Sequence, residues 1–314
     1  MTPPGFWQHG RTPPWPLAIL ARITTSLTAS RVARPGWTAP VPVICCGNAT
    51  SGGTGKTPLA LDLATRLQAM GETPAFLTRG HGGSLRGARV TAENAALAGD
   101  EPQLLATCAP TYAGPDRVAS ARLAIADGAS VLVMDDGLQN PGLTRALSLL
   151  VIDGGAGFGN GHVIPAGPLR EPAAAAAARC QAAVLIGEDV TGAASRLILP
   201  ILHARLRPVP ADLVALPPAL LAFAGIGRPQ KFFDTLTQAG HTPRQSIGFP
   251  DHHRYTRSDL ARLRTEAARL GATLVTTAKD AARLPQGFAL VLRVTLEWDD
   301  PDAVTALLHK AITR

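Results

Sequence analysis

Gly47-Asn48-Ala49-Thr50-Ser51-Gly52-Gly53-Thr54-Gly55-Lys56-Thr57-Pro58 is the stretch on which the reading of this chain turns. An apolar run, Val41-Pro42-Val43-Ile44-Cys45-Cys46, precedes it, and Leu59 to Ala64 reads as a helix after it. Strand, glycine-rich loop, Gly-Lys-Thr and helix, in that order, form a P-loop. Such a loop turns consecutive backbone N–H groups inward around a polyphosphate, and the helix N-terminus adds partial positive charge. Ser51, Gly52, Gly53, Thr54 and Gly55 would line the phosphates. Lys56 would reach the β- and γ-phosphates of ATP, and the Thr57 hydroxyl would ligate Mg²⁺. Thr50 stands where the general pattern has its first glycine.

Outward from the loop, apolar strands alternate with helical stretches, which predicts a layered α/β fold with a mostly parallel sheet. Val131-Leu132-Val133-Met134 ends in Asp135-Asp136-Gly137, the form of a Walker B strand, and one of the two aspartates is expected on Mg²⁺. Further strands are expected at Ala75–Thr78 and Leu147–Asp153, with an excursion of the sheet at Arg86–Thr91. Gly99-Asp100-Glu101-Pro102 and Asp116 are read as helix starts. Residues 154–171 turn irregular and rich in Gly and Pro, so they either line a site or mark a domain boundary. Beyond them strands are expected at Ala183–Ile186, Leu197–Leu206, Leu220–Ala224, Ser246–Phe249, Thr273–Thr277 and Ala289–Val294. Helices are expected between the later strands, and a final one from Pro301. This predicts an N-terminal region over 1–40, a P-loop core over 41–160, and the irregular loop with a C-terminal α/β domain over 161–314, the core regaining the final helix.

In the N-terminal region Ile19, Ile23 and Leu27, joined by Leu20, make one apolar stripe on a helix. Trp7 and Trp15 stand before it and Arg22, Arg31 and Arg34 around it, which suits an interfacial helix; docking on the protein's own core is the alternative. The 314 residues carry 30 Lys+Arg against 23 Asp+Glu, a net charge of +7, which suits anionic partners without choosing among them. Nucleic acid is not expected as a partner, because basic and aromatic residues are not interleaved. The four cysteines, Cys45, Cys46, Cys108 and Cys180, have no C-x-x-C spacing and read as thiols of a reducing compartment. No apolar run is long enough to span a bilayer. Prolines interrupt any leader-like segment, so the mature chain is expected to start near Met1 in the cytoplasm.

Several motifs taken in order resemble one family. They are the 47–58 loop, Thr78-Arg79-Gly80-His81-Gly82-Gly83, Gly99-Asp100-Glu101-Pro102 and Asp135-Asp136-Gly137-Leu138-Gln139. Pro165-Ala166-Gly167-Pro168-Leu169-Arg170-Glu171-Pro172, Ala222–Pro229, Phe249-Pro250-Asp251-His252-His253 and Thr276-Thr277-Ala278-Lys279-Asp280 follow. Together they resemble the tetraacyldisaccharide 4′-kinases of lipid A biosynthesis, from about residue 5 to 285, and Thr50 in the loop is a mark of that family. The resemblance implies a P-loop kinase with a smaller C-terminal α/β domain. It implies transfer of the γ-phosphate of ATP to the 4′-hydroxyl of a tetraacyl glucosamine disaccharide 1-phosphate. The expected setting is peripheral, on the cytoplasmic face of the inner membrane, with an N-terminal interfacial helix and a monomeric enzyme.

The resemblance also distributes roles. Asp100 is the expected base, oriented by His252 rather than its neighbour His253; Arg170 stabilises the γ-phosphate; Glu171 contacts Mg²⁺ or ribose, or pairs with Arg170. Asn48, Arg79, His81, Arg117 and Gln139 are expected around the acceptor sugar. His81 stands where the family usually has Tyr, Leu138 where it has Phe, and Asn140 where it has His. A rival class is a membrane-associated partitioning or chaperone ATPase, which shares Gly-Gly-x-Gly-Lys-Thr. That class usually carries a second lysine early in the loop, where this chain has Asn48, Ala49, Thr50 and Ser51.

Overall fold

The structure, a computed structural model, describes residues 4–313. Residues 1–3 and 314, the outer ends of the expected N-terminal and C-terminal regions, lie outside the described residues. Thirteen strands are present among the described residues. In chain order they are β1 (Val43–Gly47), β2 (Pro74–Thr78), β3 (Ala88–Arg89), β4 (Thr111–Ala113), β5 (Val131–Asp135), β6 (Leu147–Asp153), β7 (Ala182–Ile186), β8 (Ile201–Pro208), β9 (Leu220–Ala224), β10 (Gln245–Gly248), β11 (Thr273–Thr277), β12 (Leu290–Leu292) and β13 (Val294–Trp298).

Nine of them form one sheet in the order β13-β8-β7-β6-β1-β5-β2-β4-β3. β1 is paired in parallel on both sides, to β5 and to β6, and all five of its residues are buried. A strand covered on both faces needs apolar residues throughout, which is why 43–46 show no alternation. The chain leaves β1 toward β2 on one side and later returns to β6 on the other. The carboxyl end of β1 is therefore a topological switch point, where open α/β sheets hold ligands. The excursion expected near residue 86 is β3, a short antiparallel edge. Helix α2 (Lys56–Ala69) packs on β1 and β5 and buries Leu59, Leu63 and Leu67. The other face is covered by a cluster joining Cys45, Met134 and Leu150 to Ala21, Ala121 and Ala176.

Helix α1 (Trp15–Val32) supplies Ala21. It docks on the core through small residues, Ala21 and Thr28, with Leu17 against the same cluster. Its apolar stripe faces outward: Trp15 is 75% exposed, Ile23 56% and Leu27 68%. One flank of this helix thus docks on the core, and the apolar stripe lies on the opposite, exposed flank. No helix among the described residues is long and apolar enough to cross a membrane. Cys45, Cys46 and Cys180 are buried free thiols.

The remaining strands form a second parallel sheet, β10-β9-β11-β12. It belongs to a compact unit spanning Leu206–Thr295, and residues 4–205 and 296–313 form the other unit. The division expected after residue 160 therefore differs from the units observed. Residues 161–205 stay with the P-loop sheet because β7 and β8 extend it beyond β6. The first residues of the strand expected from Leu197 are a turn after a short helix, Ala194–Arg196, and β8 begins only at Ile201. β13, which sequence reading did not separate from β12, returns the chain to the large sheet before the final helix Pro301–Ile312.

Candidate active site

The register Cys46↔Asp135 sets the ends of β1 and β5 side by side, so the loop after one and the aspartates after the other meet. α2 begins at Lys56 itself, which puts Lys56 and Thr57 in its first turn. Gly55, at φ 91°, has a backbone that side chains avoid, and a Cβ there would lie 2.6 Å from Ile186 Cδ1. The loop is also held from outside. Thr50 forms an antiparallel bridge with Leu169, the Ser51 N–H donates to the Pro168 carbonyl at 2.7 Å, and the Arg170 N–H donates to the Ala49 carbonyl at 2.6 Å. The irregular 154–171 segment is thus the second strand of a clasp around the phosphate loop.

Within the clasp the side chains converge. Lys56 Nζ donates to Asn48 Oδ1 at 3.1 Å and lies 3.6 Å from Asp136 Oδ1. Asn48, fully buried, donates to Thr50 Oγ1 at 3.1 Å. Thr57 Oγ1 donates to Asp135 Oδ2 at 3.2 Å. Arg170 Nη1 donates to both oxygens of Asp136, at 2.7 and 2.9 Å. Asp136 sits in the left-handed region at φ 57°, which turns its carboxylate from the strand into this cluster. Burial pushes the Asp136 carboxyl up, but Lys56 and Arg170, with Arg117 behind them, outweigh it and hold it below the usual carboxylate range. Arg117, 3% exposed, opens the helix Arg117–Ala126, which Asp116 caps as expected. Burial pulls its guanidinium down to about 10 against the opposing pull of Asp136 and Asp135, so it stays a cation at neutral pH.

Gln139 and Glu171 complete the group. Gln139 Nε2 donates to the Asn48 carbonyl at 2.9 Å and to Glu171 Oε1 at 2.8 Å. The Glu171 carboxylate is 2% exposed, and the same oxygen accepts from Arg179 Nη2 at 2.7 Å. Of the roles expected of Glu171, pairing with Arg170 is corrected: its buried carboxylate pairs with Arg179, a residue that sequence reading missed and no motif marks, while Arg170 pairs with Asp136.

Asp100 is 5% exposed and is the first residue of the helix Asp100–Ala106, with Gly99 at the N-cap. Gly99 has φ 89°, and a Cβ on it would lie 2.6 Å from the His81 carbonyl oxygen. The Ser84 N–H donates to the Leu97 carbonyl at 2.7 Å, which ties this helix start to the loop leaving β2. Arg79 and His81 are on that loop and exposed. His252 and His253 belong to the Leu206–Thr295 unit. His252 has φ 55° and its N–H donates to the Gly225 carbonyl at 3.1 Å. His253 is no loose surface residue: its Nε2 lies 3.0 Å from Asp259 Oδ2 and its ring stacks on Phe249 at 4.7 Å. Among the described residues no group of three or more His, Cys, Asp or Glu side chains could hold a metal by themselves.

A phosphate-gripping loop, a lysine, an arginine and two aspartates at a switch point can bind a nucleotide and polarise its terminal phosphate. Comparison with known proteins gives that chemistry a context. A profile of the family described as LpxK, tetraacyldisaccharide-1-P 4′-kinase, matches residues 13–313. The tetraacyldisaccharide 4′-kinase of Gluconacetobacter diazotrophicus is 52% identical over 98% of this chain and 97% of that protein. The protein of the same name from Methylorubrum extorquens is 52% identical over 94% of each. The solved structure of LpxK from Aquifex aeolicus in complex with ATP superposes with a TM-score of 0.76 at 25% identity, over 95% of this chain and 98% of that one.

Proposed function

The chain belongs to the tetraacyldisaccharide 4′-kinase family, and from that premise we propose how its residues share the reaction. The reaction is ATP-dependent transfer of the γ-phosphate to the 4′-hydroxyl of a tetraacyl glucosamine disaccharide 1-phosphate in lipid A biosynthesis. The partitioning or chaperone ATPase is not favoured, because relatives at about half identity over nearly the whole chain carry the kinase name.

The N–H groups of Gly52 to Gly55 cradle the phosphates, with Ser51, whose own N–H is bonded to Pro168, at the entrance of the loop, and Lys56, steadied by Asn48 and Asp136, extends to the β- and γ-phosphates. Arg170, aimed by its bidentate pair with Asp136, neutralises the migrating phosphoryl group. Mg²⁺ fits the hard oxygen donors of Thr57 and Asp135, with Asp136 beside them. Bound there, it would offset charge on the β- and γ-phosphates. Asp100 accepts the proton of the acceptor hydroxyl, and the helix start that holds it keeps the carboxylate fixed at the carboxyl end of the sheet. Asn48, Arg79, His81, Arg117 and Gln139 contact the acceptor, and Glu171 serves as a brace. The enzyme is read as a monomer seated peripherally on the cytoplasmic face of the inner membrane, and the outward stripe of α1 supports the membrane contact.

The observation that carries the division of roles is the convergence of Lys56 and Arg170 on Asp136 at the mouth of the loop. The purified protein, incubated with ATP, Mg²⁺ and the tetraacyl disaccharide 1-phosphate in detergent, should phosphorylate the lipid. Robust ATP hydrolysis with no phosphate on the lipid would overturn the reading.

A further inference from the structure

We propose that Arg179 is a positioning residue for phosphoryl transfer, acting through Glu171 and Gln139 on Arg170 and Asn48. The inference rests on the reading of Arg170 as a group of the phosphate site and of Asn48 as the residue that steadies Lys56. Arg179 lies two residues beyond the helix Ala173–Ala177 and outside every motif of the chain. Its Nη2 donates to Glu171 Oε1 at 2.7 Å and its Nη1 to the Ala175 carbonyl at 2.9 Å, while its Nε is buried with no hydrogen-bond partner. Leaving a buried donor unpaired is costly, so the conformation persists for what the other two nitrogens hold. Nη1 anchors the side chain on the helix backbone, and Nη2 holds the carboxylate of Glu171, a residue that is 2% exposed and needs a cation at that depth.

The charge on Glu171 sets the polarity of Gln139. Because Glu171 Oε1 accepts, Gln139 must turn its Nε2 toward it at 2.8 Å and toward the Asn48 carbonyl at 2.9 Å. The amide oxygen is then left facing Arg170, 3.4 Å from Nη1. The reversed amide would set an NH₂ against a guanidinium, donor against donor, and would release Arg170 from its alignment on Asp136. One charge pair behind the site thereby fixes the amide that aligns Arg170 and holds the backbone of Asn48.

The test uses the full chain and lipid kinase kinetics. Arg179→Met should lower kcat about 10- to 100-fold, the scale of a small misplacement of a reacting group. KM for ATP should change by less than about 3-fold, since the nucleotide's ground-state contacts remain. Arg179→Lys should recover most of the rate. Glu171→Met should fall by a similar factor, and Arg179→Met combined with Glu171→Met should fall no further than the worse single variant. A lowered melting temperature with wild-type kcat in the folded Arg179→Met enzyme overturns the inference. If that variant does not fold, wild-type kcat in Glu171→Met overturns it equally. Arg170→Ala separates the two levels. Unchanged kcat in Arg170→Ala sinks the reading of Arg170 itself, whereas a slow Arg170→Ala beside a fast Arg179→Met sinks only the relay.

Discussion

Lys56 and Asp100 can be told apart by what their loss leaves behind. With Lys56 proposed on the nucleotide, Lys56→Ala should cost at least about 10²-fold in kcat, the scale of losing one preorganised charge donor. Asp100 sits at a helix start and is proposed on the acceptor side, so Asp100→Ala should lower kcat about 10²- to 10⁴-fold while ATP binding by calorimetry stays intact. Lost ATP affinity in the Asp100 variant would assign it to the nucleotide side instead. A pH effect belongs to Asp259. The Thr256 N–H, then the Thr256 hydroxyl, then His253 hold its carboxyl down to about 2. A folded-state value below the unfolded one means that its stabilisation is complete above about pH 4 and is lost as pH falls toward 2. Asp259→Ala should therefore cost about 1 kcal/mol in urea unfolding at pH 7, through the lost capping box, and progressively less as pH falls toward 2 and below. A cost undiminished near pH 2 would mean packing rather than charge. At this scale the residues of contiguous motifs, Lys56, Thr57, Asp135 and Arg170, were legible because their chemistry is local. Arg179 was not, since its importance comes from a buried carboxylate eight positions away whose burial no spacing reveals.

Among the elements, α1 makes the most direct claim. Trp15, Ile19, Ile23 and Leu27 recur at every fourth position and all face away from the core, while Ala21 and Thr28 dock. Replacing Ile19 and Ile23 with Asp should abolish flotation with anionic vesicles and leave kinase activity on detergent-dispersed substrate within about 3-fold, because the docked flank is untouched. Vesicle binding that survives both substitutions would remove α1 as the contact. Deleting the segment is a poorer test. Trp7 donates to the Pro165 carbonyl at 3.2 Å and Asn160 donates to the Phe6 carbonyl at 2.7 Å, so the N-terminus also braces the loop behind the clasp. The stripe could be read from the sequence; which flank docks could not, because small residues give no periodic signal. β13 was missed for a related reason. Only Arg293 separates it from β12, and its pattern of exposure, with Leu296 and Trp298 inward, is that of a strand in a different sheet.

For the whole molecule, the alternation of strands and helices announced two α/β layers but not where one stops. Residues 161–205 look irregular at first and then supply two ordinary strands, and nothing in their composition says which sheet they join. The structure answers through connectivity: the chain leaves the larger unit within β8 and re-enters it within β13, its neighbour in the sheet. The Asp299 N–H donates to the His203 carbonyl at 3.0 Å across that pair. Exit and return thus stand about 5 Å apart, one strand spacing. This makes Leu206–Thr295 a mechanical bystander. Tension applied through handles near the two ends of the chain runs through the P-loop sheet and bypasses the smaller unit until β8 and β13 part. Optical-trap pulling should show the larger unit yielding first. A later, separate extension of about 30 nm should follow, the length of some 90 residues drawn straight. An extension of that size arriving first would mean that the load path does not close across β8 and β13.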